Sequence, residues 1–170
     1  MYDNILYPTD GSAGSEAAAA HVRELASAFD ATVHVLHVVD TREGGLGVSG
    51  AFLHGEGKGM SGESAEGGYL GGHEERPDVD KIDDRLTTHV TDLMGDSSES
   101  LDEIHLRTAV RKGAPHSAIL GYADENDVDL IVMGTHGRTG VERYLLGSVT
   151  EKVVRLSDAP VVTVRADESE

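Results

Sequence analysis

Asp129-Leu130-Ile131-Val132-Met133-Gly134-Thr135-His136-Gly137-Arg138-Thr139-Gly140, followed shortly by Leu145-Leu146-Gly147-Ser148-Val149-Thr150, is the stretch on which the fold turns. The run over 128–133, apolar but for Asp129, reads as a strand covered on both faces. It stops at a glycine, crosses a short polar loop, and meets a glycine–serine pair where a helix can begin. Gly134, Gly137, Gly147 and Ser148 spell G-x2-G-x9-G-[ST]. Free N–H groups at a helix start, with the helix dipole behind them, attract phosphate. The stretch therefore predicts a strand, a phosphate-binding loop and a helix running from Gly147 to about Leu156.

Working outward, the same alternation repeats. Asn4-Ile5-Leu6-Tyr7 is a short apolar run stopped by Pro8-Thr9-Asp10-Gly11, which predicts a buried strand and a turn. Beyond Ser12, a candidate N-cap, apolar residues recur at Ala18, Val22, Leu25, Ala26 and Phe29 with helical spacing. Residues 32–39 are β-branched and strand-like. Val79, Ile82, Leu86, Val90 and Leu93 mark a second helix, and 104–110 alternates as a strand. Pro115 opens a third helix through Ile119, Tyr122 and Ala123, proline being favoured early in a helix. Val161-Val162-Thr163-Val164 is a last short strand. Strands alternating with helices imply a doubly wound, mainly parallel α/β sheet. In such sheets ligands bind at the carboxyl ends of strands where connections diverge. Both Pro8–Asp10 and Gly134–Gly140 lie at such ends.

Residues 41–77 break the pattern. Twelve glycines fall between Gly44 and Gly72 with almost no periodic apolar spacing, which predicts a mobile insertion within a single domain spanning 1–170. It reads either as a permissive linker or as a lid or partner-binding arm. Two G-x-G-x-x-G matches inside it, at 45–50 and 57–62, are not followed by helical periodicity and are discounted as dinucleotide fingerprints.

The 170 residues carry 14 basic and 31 acidic side chains, a net charge of −17, and only four lysines. A surface this acidic repels nucleic acid and anionic membranes, so neither is an expected partner. Acid-rich, lysine-poor composition suits a chain kept soluble in concentrated salt, a halophilic adaptation. Without cysteine, disulfides, thiol nucleophiles and thiolate metal sites are excluded. No basic leader opens the sequence and no apolar run approaches the ~20 residues that span a bilayer. The expected location is cytoplasmic. There is no G-x4-G-K-[ST] and no G-x-S-x-G. His34 and His37 fall on opposite faces of one strand, which argues against shared metal ligation.

These segments, in this order, resemble the ATP-binding branch of the universal stress protein family. The resemblance covers Ile5–Ser12, Val35–Asp40, Asp129–Gly140, Leu145–Thr150 and Ala159–Val164. It implies a five-stranded sheet ordered 3-2-1-4-5, an adenine-nucleotide alpha-hydrolase-like fold, and a homodimer paired through strand 161–164. It implies further that Pro8, Thr9, Asp10 and Val38 line the adenosine pocket. Met133, Gly134, Thr135, His136, Gly137, Arg138, Thr139, Gly140, Gly147, Ser148 and Val149 would hold the phosphates. ATP is the implied ligand, with Mg²⁺ (or Mn²⁺) bridging its phosphates and no dedicated metal cage in the protein.

Several readings stay open at this point. Asp10 either meets the ribose or caps the following helix. Arg138 either pairs with a phosphate or is a solvated loop residue, and His136 reads as an exposed loop histidine or an added charge. No general base stands beside the loop. The leading expectation is thus a dimeric nucleotide-dependent stress or regulatory protein. A slow ATPase or phosphotransferase using Ser148 or Thr150, and a non-nucleotide protein-interaction adaptor, are the alternatives.

Overall fold

Short β-branched runs and amphipathic stretches alternate through the computed structural model, which describes residues 1–41, 79–95, 104–135 and 146–166. In chain order these form β1 (Asn4–Pro8), α1 (Ala13–Phe29), β2 (Thr32–Val39), α2 (Val79–Gly95), β3 (His105–Lys112), α3 (Pro115–Glu125), β4 (Leu130–Gly134), α4 (Ser148–Leu156) and β5 (Val161–Val164). The expected insertion at 41–77 lies outside the described residues except for its first position, and so does the loop 136–145.

The sheet is parallel and ordered β3-β2-β1-β4-β5, as the family resemblance implied. Side-chain alternation along the strands divides the core into two layers. Ile5 and Tyr7, Val33 and Val35, and Leu130 and Val132 pack against Ala18, Val22 and Ala26 of α1 and Ile82, Leu86 and Val90 of α2. The intervening residues, Leu6, Leu36, Ile131 and Met133, pack against Ile119 and Tyr122 of α3 and Val153 of α4. The helix after β1 thus covers one face and the helix after β4 covers the other. Neighbouring β1 and β4 are where the connections diverge, so the crevice expected of such sheets falls at the carboxyl ends of these two strands.

Local chemistry sets each helix. In α1 the run Ala17–Ala20 has the highest helical propensity, and its small side chains let the helix lie close to the sheet. Ser12 is the N-cap, its hydroxyl accepting the Ser15 N–H at 3.3 Å. The helix stops where Asp30 enters the left-handed region at φ 54° and its N–H returns to the Ala26 carbonyl. Pro115 sits in the first turn of α3, where its missing N–H costs nothing.

Two interior contacts hold these layers in register. Gly134, the last residue of β4, faces the first turn of α1. A Cβ built there would fall on the Gly14 carbonyl and within 3.0 Å of the Ser15 nitrogen. Only hydrogen at Gly134 lets α1 approach. On the opposite face, His34 is 1% exposed, with Nδ1 at 3.0 Å from the Tyr122 hydroxyl and Nε2 at 3.2 Å from Asn4 Oδ1. Because Asn4 Oδ1 only accepts, Nε2–H donates to it and Nδ1 of the neutral ring accepts from Tyr122. Burial, and then Arg107 across the strand pair, hold His34 below its ordinary value.

Gly134→Ala is expected to lower unfolding stability by about 2 kcal/mol or more, read from the urea midpoint, because backbone rather than a flexible side chain blocks the added methyl. For His34 the sign follows from its depressed pKa. The unfolded chain takes up a proton below about pH 6.5 that the folded chain does not, so stability is whole above that pH and declines as pH falls. Urea titrations between roughly pH 7 and pH 5 should show this decline, and His34→Gln should flatten it.

Candidate functional site

At the carboxyl end of β1 the sequence Pro8-Thr9-Asp10-Gly11-Ser12 folds into a turn whose polar groups are largely consumed internally. Thr9 is buried; its N–H donates to the Leu36 carbonyl at 2.9 Å and its carbonyl accepts from His37 Nδ1 at 2.9 Å. Its hydroxyl donates to Ser15 Oγ at 3.1 Å and accepts the Gly11 N–H at 3.2 Å. Thr9 therefore shapes the wall of the crevice and offers a ligand no hydrogen-bonding group. Gly11, at φ 70°, makes the reversal that brings Ser12 into capping position. Tyr7 anchors the start of α1 from below, donating to the Ser15 carbonyl at 2.8 Å; burial pushes its phenol up to about 12.

Asp10 is half-buried, and its Oδ1 accepts the Ser12 N–H at 3.0 Å. The open alternative for this residue is thereby resolved in part. The N-cap is Ser12, and Asp10 orients it from two residues upstream. Among the described residues the second carboxylate oxygen of Asp10 has no partner, so it remains free to accept from a hydroxyl in the crevice.

Val38 stands on the part of β2 that outruns β1. The last register pair is Pro8 with Leu36, closed by Thr9 N–H on the Leu36 carbonyl. In a parallel strand the N–H and C=O of alternate residues point to the same side. Those of Val38 consequently point the same way as those of Leu36, past the end of β1 and into the crevice. Two main-chain groups, one donor and one acceptor, are presented there at fixed spacing.

The carboxyl end of β4 supplies the other wall. Met133 and Thr135 are buried. Thr135 N–H donates to the Val164 carbonyl at 2.8 Å, and its own carbonyl accepts the Gly147 N–H at 2.8 Å. Thr150, 3% exposed, donates its hydroxyl to the Gly134 carbonyl at 2.9 Å. Two successive carbonyls of β4 thus grip the first turn of α4, and the chain that leaves at Thr135 returns at Gly147 pinned by a hydrogen bond.

Helix α4 begins with Gly147 as N-cap and no side chain capping it. Its first intrahelical bond is Glu151 N–H to the Gly147 carbonyl at 2.8 Å. Among the described residues, the N–H groups of Ser148, Val149 and Thr150 are left without acceptors, at the positive end of the helix dipole.

Three expectations from sequence need amending. Gly147 does not offer its amide, since Thr135 has taken it. Gly134 does not clear space for a phosphate on its α1 side, because Gly14 fills that space. Thr150 is no candidate phosphate acceptor: it is buried and its hydroxyl is committed to Gly134, whereas Ser148 is exposed. His136, Gly137, Arg138, Thr139 and Gly140 lie outside the described residues. The structure brings Pro8, Asp10, Val38, Met133, Gly134, Ser148 and Val149 to one end of the sheet. It adds Ser15, His37 and Thr150 as residues that hold that end in shape. No sequence motif announced Ser15 or His37, and Thr150 was read in another role, since what all three do depends on partners 6, 28 and 16 positions away.

No three His, Cys, Asp or Glu side chains stand together as a metal-ligand set among the described residues. No helix there is long and apolar enough to cross a membrane.

The pattern of the universal stress protein family matches residues 1–165. The chain is 32% identical to universal stress protein MJ0577 of Methanocaldococcus jannaschii, over 99% of this chain and 98% of that protein. The solved MJ0577 structure superposes with a TM-score of 0.64 at 30% identity, covering 99% of each chain. Universal stress protein MJ0531 of the same organism is 31% identical, over 100% of this chain and 86% of its own length. A universal stress protein solved in complex with cAMP shares the fold at TM-score 0.55 and 20% identity, covering 98% of each chain. With the family pattern running almost end to end and two such relatives above 30% identity, this chain belongs to the universal stress protein family.

Proposed function

We propose that this protein binds ATP at the carboxyl end of its sheet and acts as a dimeric, nucleotide-dependent stress or regulatory protein. The observation that carries the reading is the bare first turn of α4. Three amides without acceptors among the described residues sit directly beyond β4, held there by Thr135 and Thr150, in a chain whose sequence spells G-x2-G-x9-G-[ST]. Such a turn suits a phosphate tail. Across the crevice, the outrun backbone of Val38 suits the edge of adenine, and the free oxygen of Asp10 suits a ribose hydroxyl. A family member of the same fold is solved with cAMP, itself an adenine nucleotide. In this reading Gly137 and Arg138 also serve the phosphates, and a divalent ion travels with the nucleotide, held by phosphate oxygens and water.

Self-association through β5 is part of the same proposal. β5 is a sheet edge, and Val162, Val154, Leu156 and Leu146 are exposed on or beside α4 and β5. Exposed apolar side chains along an unpaired edge favour pairing with a second copy.

Calorimetric titration of purified protein with ATP and Mg²⁺ in concentrated salt should show saturable binding, and no heat at millimolar nucleotide would overturn the reading. A sharper test is Ser148→Pro. Proline is tolerated at the first helical position, and Gly147, at φ −59° and ψ 154°, already has the conformation a residue before proline prefers. The variant should fold with an unchanged urea midpoint yet bind ATP about tenfold more weakly, having lost one amide and one hydroxyl, while adenosine binding stays the same.

A further inference from the structure

The charge of this chain is unevenly placed. Acidic residues number 31 in 170, yet none occurs from Ile104 to Ala123, where that average would place about three or four. The stretch comprises β3 and most of α3, and on β3 it carries Arg107, Arg111 and Lys112, all exposed. β3 is also one of the two edges of the sheet. A basic strand therefore borders an otherwise strongly acidic molecule.

The backbone of β3 is half used. Gly113 N–H donates to the Val39 carbonyl at 3.0 Å, and the register pairs Lys112 with Val39. The odd-numbered residues of the strand thus bond to β2. By alternation, the N–H and C=O groups of Leu106, Thr108, Val110 and Lys112 point outward, where no described residue pairs with them. One of the basic side chains at this edge is held in place. Arg111 lies 5.4 Å from the centroid of the Tyr122 ring and donates to Glu125 at 3.0 Å. Arg107 and Lys112 have no ion-pair partner among the described residues.

We propose that the β3 edge docks an acidic, extended segment of a partner protein, added to the sheet as a sixth strand. Main-chain hydrogen bonds to the outward groups would supply the pairing, and alternate carboxylates would meet Arg107 and Arg111, which share one face of β3. Charge complementarity selects this occupant. A basic segment would meet repulsion at the edge, and nucleic acid, with charge along its whole length, would meet the acidic remainder of the surface. Physiological salt screens that remainder beyond a Debye length of about 8 Å while leaving contact pairs largely intact. The inference is independent of the nucleotide site, which lies at the carboxyl ends of β1 and β4.

The test is amide-resolved hydrogen exchange on the full chain with a short peptide alternating Glu and Val, and a matched peptide alternating Lys and Val. The acidic peptide should protect the amides of Leu106, Thr108, Val110 and Lys112 while leaving those of Arg107, Ala109 and Arg111 as they were. The basic peptide should do nothing. Arg107→Glu combined with Arg111→Glu should weaken acidic-peptide binding more than about tenfold with ATP binding unchanged. Four results would overturn the proposal: protection of the outward amides already present in the free chain; protection that rises with protein concentration alone, which assigns the edge to a second copy; an equal response to an oligonucleotide; or no response to the acidic peptide, which leaves the charges as guards against aggregation.

Discussion

The end of β4 is held from both sides at once, and the geometry of the crevice depends on that grip. On one face the missing side chain of Gly134 admits the first turn of α1, with Gly14 in contact. On the other, the carbonyls of Gly134 and Thr135 hold the start of α4 through Thr150 and Gly147. These bonds are short, buried or nearly so, and they join elements that diverge to opposite faces of the sheet. A helix start that was merely adjacent to the strand would fray, since uncapped first turns gain little from their own hydrogen bonds. Here the amides of Ser148 and Val149 have no acceptor among the described residues, while their neighbours Gly147 and Thr150 are fastened.

The same logic runs through the β1 side. Thr9, Ser12, Ser15, His37 and Tyr7 form a network that ties the turn after β1 to the start of α1 and to β2. Polar side chains at the crevice therefore divide into two groups. Most are spent on holding the turn, and Asp10 alone among Pro8, Thr9 and Asp10 keeps an oxygen to spare. Among the described residues, this end of the sheet presents main-chain groups and one carboxylate. Tyr7 is buried and engaged beneath the turn, and His34 faces α3.

Charge adds a second level of organisation. The net −17 governs long-range behaviour, favouring solubility and disfavouring polyanionic partners. Contact at either proposed surface is decided instead by what lies within a few ångströms. At the crevice that is helix dipole and bare amide; at the opposite edge of the sheet it is the acid-free strand β3. Composition alone, averaged over the chain, conceals both.

The order of elements, the parallel sheet and the glycine pattern were legible in the chain itself because they are local. Apolar residues at a period of two or 3.6 must be buried on one face, whatever surrounds them. Ser12 as a cap and Pro115 as a helix opener could be read for the same reason: each acts within one turn of its own position. The strand order β3-β2-β1-β4-β5 came from family resemblance, since periodicity does not say which strands are neighbours. What only the tertiary structure decided was the use of individual polar atoms. Gly147 and Thr150 looked available in one dimension, and the folded chain commits both to β4. Gly134 looked like room for a phosphate and proved to be room for α1. A hydrogen bond between residues far apart in sequence leaves no periodic trace, because its geometry exists only once both elements have been packed against the same sheet.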